Sequence, residues 1–116
     1  MTDKAPKKRP QLPKNPTMRH FQEYVHELEA FHGWLSVDLV HNCFLMGEEV
    51  GELFKAIRRY ERFYEPNAPK PTNTEVAEEI VDVFNYLCAL ANRLDIDLEA
   101  AFRQKNTRNL ERSWAD

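Results

Sequence analysis

Two stretches thirty residues apart repeat the same acids in the same apolar frame: EEVGELF at 48–54 and EEIVDVF at 78–84. On a helix, at about 100° per residue, Val50, Leu53 and Ile57 form an apolar stripe that Met46 and Phe54 widen. Glu49 and Glu52 lie three apart on one margin of that stripe, with Glu48 further towards solvent. In the second stretch Ile80, Val83 and Leu87 make the equivalent stripe, Glu79 and Asp82 occupy the matching margin, and Glu78 lies further round. Two helices are thus expected to offer carboxylate pairs at the same edge of a core. Carboxylates gathered there repel one another and lose hydration. A hard divalent cation relieves both costs, and oxygen-only ligation selects Mg²⁺, Mn²⁺ or Ca²⁺ over zinc or copper. Gly47 and Gly51 flank Glu48–Val50; mid-helix glycine costs about 1 kcal/mol relative to alanine, which predicts close approach there by another helix or a ligand.

Other site chemistries fail on spacing. HELEAFH at 26–32 lacks the second histidine of HExxH, because Ala30 stands in its place. Neither acid pair continues as the Glu-x-x-His of a di-iron bundle, and there is no GxxxxGK[ST] loop. His20, His26, His32 and His41 read as surface or satisfied side chains. Near the C-terminal end, Lys105, Arg108 and Arg112 are spaced to share a helix face, which Asn109 adjoins. Such cations can complement a helix C-terminus. Beside a metal-loaded acidic site, Lys/Arg and an Asn donor can also hold a polyphosphate.

The elements that must position these groups are helices. Prolines cluster at Pro6, Pro10, Pro13 and Pro16 and again at Pro66, Pro69 and Pro71, leaving two long stretches without helix breakers. Thr17 is a candidate N-cap for a helix to about Phe31, ending near Gly33. Ser36 is a candidate N-cap for a second helix, to about Phe63. EPNAPKPTN is the linker. A third helix starts after Asn73 or Thr74 and runs to about Leu94, and a fourth starts after Asp97 and runs into ERSW. Strand and hairpin signals are poor. The expected fold is all-α, an antiparallel four-helix bundle.

Composition narrows the class. With 42% hydrophobic and 30% charged residues, the 116-residue chain has the make-up of one globular domain. No apolar run approaches a membrane span, and no secretory signal opens the chain. Cys43 and Cys88 sit in apolar helical contexts, which predicts buried thiols in a reducing, cytoplasmic setting. Residues 1–16 hold five Lys/Arg against one Asp, so with the whole chain at −3 the remainder carries about −7. Residues 1–16 read as a disordered basic Pro-rich tail and 17–116 as the helical domain. An acidic body argues against binding polymeric nucleic acid.

Taken together, Glu48-Glu49-Val-Gly-Glu52, Glu79-Ile-Val-Asp82 and Arg108-Asn109-Leu-Glu-Arg112-Ser-Trp114 resemble the MazG-type all-α nucleoside triphosphate pyrophosphohydrolases, including the small dCTP pyrophosphatase-like members. The signature EExxE…ExxD is matched in full, the resemblance spans roughly residues 17–114, and Lys105 suits the family's basic phosphate-binding position. The resemblance implies a homodimer or homotetramer with sites built partly between subunits. It implies Mg²⁺, with Mn²⁺ a possible substitute, held by Glu49, Glu52, Glu79 and Asp82. It implies hydrolysis of a nucleoside triphosphate between the α and β phosphates, with Glu48 or Glu49 accepting the proton of the attacking water. Small members often act on pyrimidine deoxynucleotides, in a house-cleaning role. Their base pockets resemble what Trp34, Tyr86, His20 or Phe21 could provide. The competing expectation is a non-catalytic helical oligomerisation module whose acids hold metal structurally or not at all.

Overall fold

The computed structural model describes residues 7–62, 64–69 and 72–113. Trp114, Phe63 and the first six residues of the basic tail lie outside them. The order of elements is α1 (Met18–His32), α2 (Leu39–Tyr60), α3 (Thr74–Arg93) and α4 (Leu98–Glu111), with no strand among the described residues. The fold class is all-α. No helix among those residues is long and apolar enough to cross a membrane. The chain divides into two compact units, Met1–Leu35 with Ala91–Asp116, and Ser36–Leu90.

In the first unit, α1 begins as its sequence predicts. Thr17 and His20 form a capping box in which the Thr17 N–H donates to His20 Nδ1 at 2.9 Å, so His20 is engaged in holding a helix end. The helix stops at Gly33, whose φ of 77° is a left-handed conformation that glycine adopts without strain. The Gly33 and Trp34 N–H groups then reach back to the carbonyls of Ala30 and Glu29 at 3.2 and 2.8 Å. Gln22, Val25 and Glu29 are buried along one face of α1. Gln22 anchors the turn between α3 and α4: its Nε2 donates to Ile96 O at 2.8 Å and Asn92 Oδ1 at 3.2 Å, and its Oε1 accepts from the Leu98 N–H at 3.0 Å. Asn92 Nδ2 returns a bond to Gln22 O at 2.8 Å. Glu29 pairs with Arg93 at 3.1 Å, and Arg93 also donates to Trp34 O at 3.3 Å. Ahead of α1, Lys7 and Arg9 of the basic segment lie over the Phe31 ring, 6.0 and 5.5 Å from its centroid.

In the second unit, the N-cap of α2 is Asp38, not Ser36. The Asp38 carboxylate accepts the His41 N–H at 2.8 Å, and an ionised acceptor at the positive helix end is favoured over a hydroxyl two residues earlier. Near the far end of α2, Arg59 pairs with Glu75 in the first turn of α3 at 3.1 Å. Ten residues earlier on α2, Glu49 meets Glu79 and Asp82, further along α3. Rising numbers on one helix meet falling numbers on the other, so α2 and α3 run antiparallel. Back in the first unit, Asp97 caps α4, accepting from the Ala100 N–H at 3.0 Å. That helix ends at Glu111 and does not continue through ERSW, because Arg112 turns to an extended conformation with ψ 142°.

The apolar stripes are placed differently from the sequence expectation. Phe54, Ile57, Ile80 and Leu87 remain exposed, and the buried apolar residues are small: Ala56, Cys88, Ala89 and Ala91, with Val25. On α2 the buried line runs through Asn42, Glu49 and Ala56, seven residues apart, with Glu49 half-buried upon it. The apolar positions 50, 53 and 57 therefore flank the inward line. Cys88 is buried as expected, whereas Cys43 is exposed, because it lies away from that line.

Candidate metal centre

Glu49 comes from the middle of α2, and Glu79 and Asp82 come from one turn of α3. Three carboxylate oxygens, one from each, lie within 4.8 Å of one another. Glu79 Oε2 is buried with no hydrogen-bond partner. Glu49 is pushed above the ordinary carboxylate value of 4.5, first by loss of hydration and then by the charges of Asp82, Glu79 and Glu52, with a hydrogen bond to Glu79 acting in the same direction. An unpartnered buried oxygen beside a carboxylate reluctant to ionise is the signature of a site short of positive charge. The donors are all hard oxygens, which fit Mg²⁺ or Mn²⁺.

The other acids of the repeat stand outside this cluster. Glu52 is exposed and contributes to the field on Glu49, though its oxygen is not one of the three. Glu48 and Glu78 are exposed on the neighbouring helix surface. Tyr86, one turn after Asp82 on α3, is half-buried. Gly47 and Gly51 are not approached within the chain: a Cβ at either would meet nothing within 4 Å. Among the described residues of the second unit, no other helix supplies the close neighbour expected there.

The remaining candidates belong to the first unit. Lys105 and Arg108 are exposed on α4, and the Asn109 side chain donates to Asn106 Oδ1 at 3.1 Å. Arg112 lies past the helix end, so it departs from the face that Lys105 and Arg108 occupy. Trp34 stacks on His32, with centroids 4.3 Å apart, and remains half-exposed. Phe21 is half-buried on α1.

Sequence reasoning missed the polar residues that organise the first unit. Gln22 and Glu29 are each buried on α1, and Glu29 retains a buried Oε1 without a partner. Their signal was present, because residues 22, 25 and 29 fall on one helix face. A Gln and a Glu on that face, however, read as solvent-facing by type.

A family model described as phosphoribosyl-ATP pyrophosphohydrolase matches residues 18–109. Comparison with curated proteins and with solved structures gave no match. The matched stretch opens on the first residue of α1 and closes within α4, and it takes in Glu49, Glu52, Glu79, Asp82, Lys105, Arg108 and Asn109. The chain belongs to the phosphoribosyl-ATP pyrophosphohydrolase family, within the MazG-like superfamily of all-α nucleotide pyrophosphohydrolases.

Proposed function

We propose that the chain is a Mg²⁺-dependent pyrophosphohydrolase of free nucleotides in the cytoplasm, releasing a nucleoside monophosphate and pyrophosphate. The supporting observation is the meeting of Glu49 with Glu79 and Asp82 around a buried, unpartnered oxygen. Glu49, Glu79 and Asp82 would hold the ion, with Glu52 positioned to join them. When bound, the cation offsets phosphate charge and lowers the pKa of a water. Glu48 or Glu49 would accept the proton of the water that attacks the α-phosphorus, and the bond from that phosphorus to the bridging oxygen would break to release pyrophosphate. Lys105, Arg108, Asn109 and Arg112 bind phosphate oxygens in this proposal, and Trp34 and Tyr86 contact the base. The chain acts as a homodimer or homotetramer and takes no polymeric nucleic acid.

The preferred substrates in this proposal are pyrimidine deoxynucleoside triphosphates, cleared as a house-cleaning activity. The family match favours a second substrate, phosphoribosyl-ATP, cleaved at the same type of bond. The deciding experiment incubates the pure protein with each common NTP and dNTP and with phosphoribosyl-ATP, in Mg²⁺ and in chelator. Products are resolved by ion-exchange chromatography. Mg²⁺-dependent monophosphate and pyrophosphate support the reaction, and relative rates assign the substrate. Diphosphate and orthophosphate would break the α-phosphorus assignment. No turnover would favour the non-catalytic helical module.

A further inference from the structure

The segment ahead of α1 lies along that helix. Residues 9–16 contain no helix or strand. Arg9 reaches the Phe31 ring near one end of α1, and Thr17 caps the other. The rise from Thr17 to Phe31 is roughly 21 Å at 1.5 Å per residue, and residues 9–16 cover roughly 25 Å in polyproline geometry, at about 3.1 Å each. Pro10, Pro13 and Pro16 share one edge of such a segment, at three residues per turn. That edge faces α1: Pro10 and Pro16 are half-buried, and Pro13 lines a cleft with His20, Tyr24 and His26. Proline fixes φ in the unfolded chain too, so docking the segment costs little conformational entropy.

The cations of this segment end a row of packed rings. Lys7 and Arg9 lie over Phe31, 6.0 and 5.5 Å from its centroid. The Phe31 and His32 rings pack at 87° with centroids 5.1 Å apart, and His32 stacks on Trp34 at 4.3 Å and 21°. The Trp34 backbone is held on both sides, its N–H by Glu29 O at 2.8 Å and its carbonyl by Arg93 at 3.3 Å. Its indole is 50% exposed, and the ring stacked on it belongs to His32, itself exposed. The plane of the indole is therefore set from Phe31, the half-buried member of the row. We propose that Lys7 and Arg9 are positioning residues: they strap Phe31 and, through His32, hold the Trp34 indole in the plane on which a nucleobase stacks. The base-stacking part of this proposal rests on the reading of Trp34 as a base contact.

Trp34 and Trp114 are the two tryptophans of the chain, so Trp114→Phe leaves an indole that reports on this row alone. Acrylamide quenching of its fluorescence measures how firmly the ring is held, with circular dichroism confirming that each variant is helical. In the full chain, Lys7→Ala with Arg9→Ala should raise the quenching constant roughly twofold as the cation–π contacts are lost. Phe31→Leu, which keeps both cations, should do the same, and Arg9→Lys should leave the constant unchanged. With dCTP and Mg²⁺, both loosened variants should raise KM roughly two- to fivefold at constant kcat, the factor that an exposed cation–π contact supplies to binding. Unchanged quenching in either loosened variant overturns the strap. A KM raised by the alanine pair but not by Phe31→Leu also overturns it, because the cations then act on phosphate directly. Raised quenching with an unchanged KM overturns the base-stacking part while the strap stands. In a chain that turns over no nucleotide, quenching alone decides the strap.

Discussion

Glu49 on α2 and Glu79 on α3 bring carboxylate oxygens within 4.8 Å of each other, although both ordinarily carry negative charge. Burial and the neighbouring charges raise Glu49 above 4.5. The folded state therefore holds its proton more tightly than the unfolded chain does. The resulting stability is full below 4.5 and is lost as pH rises through the folded-state value of Glu49. Chemical denaturation in chelator at a series of pH values should show this decline, and Glu49→Gln should flatten it. Asp97 has the opposite sign: the Ala100 N–H, then Arg19, hold it below the usual 3.8. Its contribution is present above 3.8 and disappears as the solution is acidified below it.

Adding Mg²⁺ at neutral pH should raise the melting temperature by mass action, worth about 2.7 kcal/mol at one hundred times the dissociation constant. Glu79→Gln and Asp82→Asn should abolish most of that rise while leaving the fold intact. Glu49→Gln should also lower turnover by roughly 100-fold or more. Parallel melting curves and rate measurements separate the catalytic role from a structural one. A variant that loses stability in chelator, before any metal is present, would point to a structural role.

The two cysteines should be distinguishable by a thiol reagent. Cys43 is exposed, whereas Cys88 is fully buried and its thiol is pushed up to about 11. One thiol per chain should react under native conditions and the second only in denaturant. Mass spectrometry of the labelled peptides assigns the site; rapid native labelling of Cys88 would contradict the burial found at that position.

Gln22→Ala removes a side chain that satisfies three groups at the α3–α4 turn. At about 1 kcal/mol per hydrogen bond, and more where a partner is left buried and unpaired, the loss should be roughly 2–4 kcal/mol. Gln22→Glu keeps the acceptor for Leu98 but loses both donors, so it should not rescue. Denaturant titration reads both.

The helices were legible because their ends are written in local chemistry. Thr17 and Gly33 bound α1, and Asp97 opens α4, each by a capping interaction within a few residues. The meeting of Glu49 with Glu79 and Asp82 was legible from the repeated acids. The depth of that site was not, because hydropathy places the core where the apolar side chains are. Here the inward line of α2 carries Asn42, Glu49 and Ala56, and larger apolar groups such as Phe44 and Phe54 face outward. Asp38 outcompeted Ser36 through charge at a helix end, a choice between two residues that are both good caps by type. The bonds of Gln22 span 70 to 76 residues of sequence, a separation that no local pattern encodes.

That separation has a consequence for the growing chain. The unit holding α1 is discontinuous, with its second half beginning only at Ala91, whereas Ser36–Leu90 is a single uninterrupted run. During synthesis the middle of the protein can pair α2 with α3 while α1 still waits for Asn92, Ile96 and Leu98. Loop closure over such a distance comes late in folding. Pulsed hydrogen exchange during refolding should find amides of α2 and α3 protected before those of α1. Residues made 70 to 76 positions after Gln22 are thus needed to fasten α1.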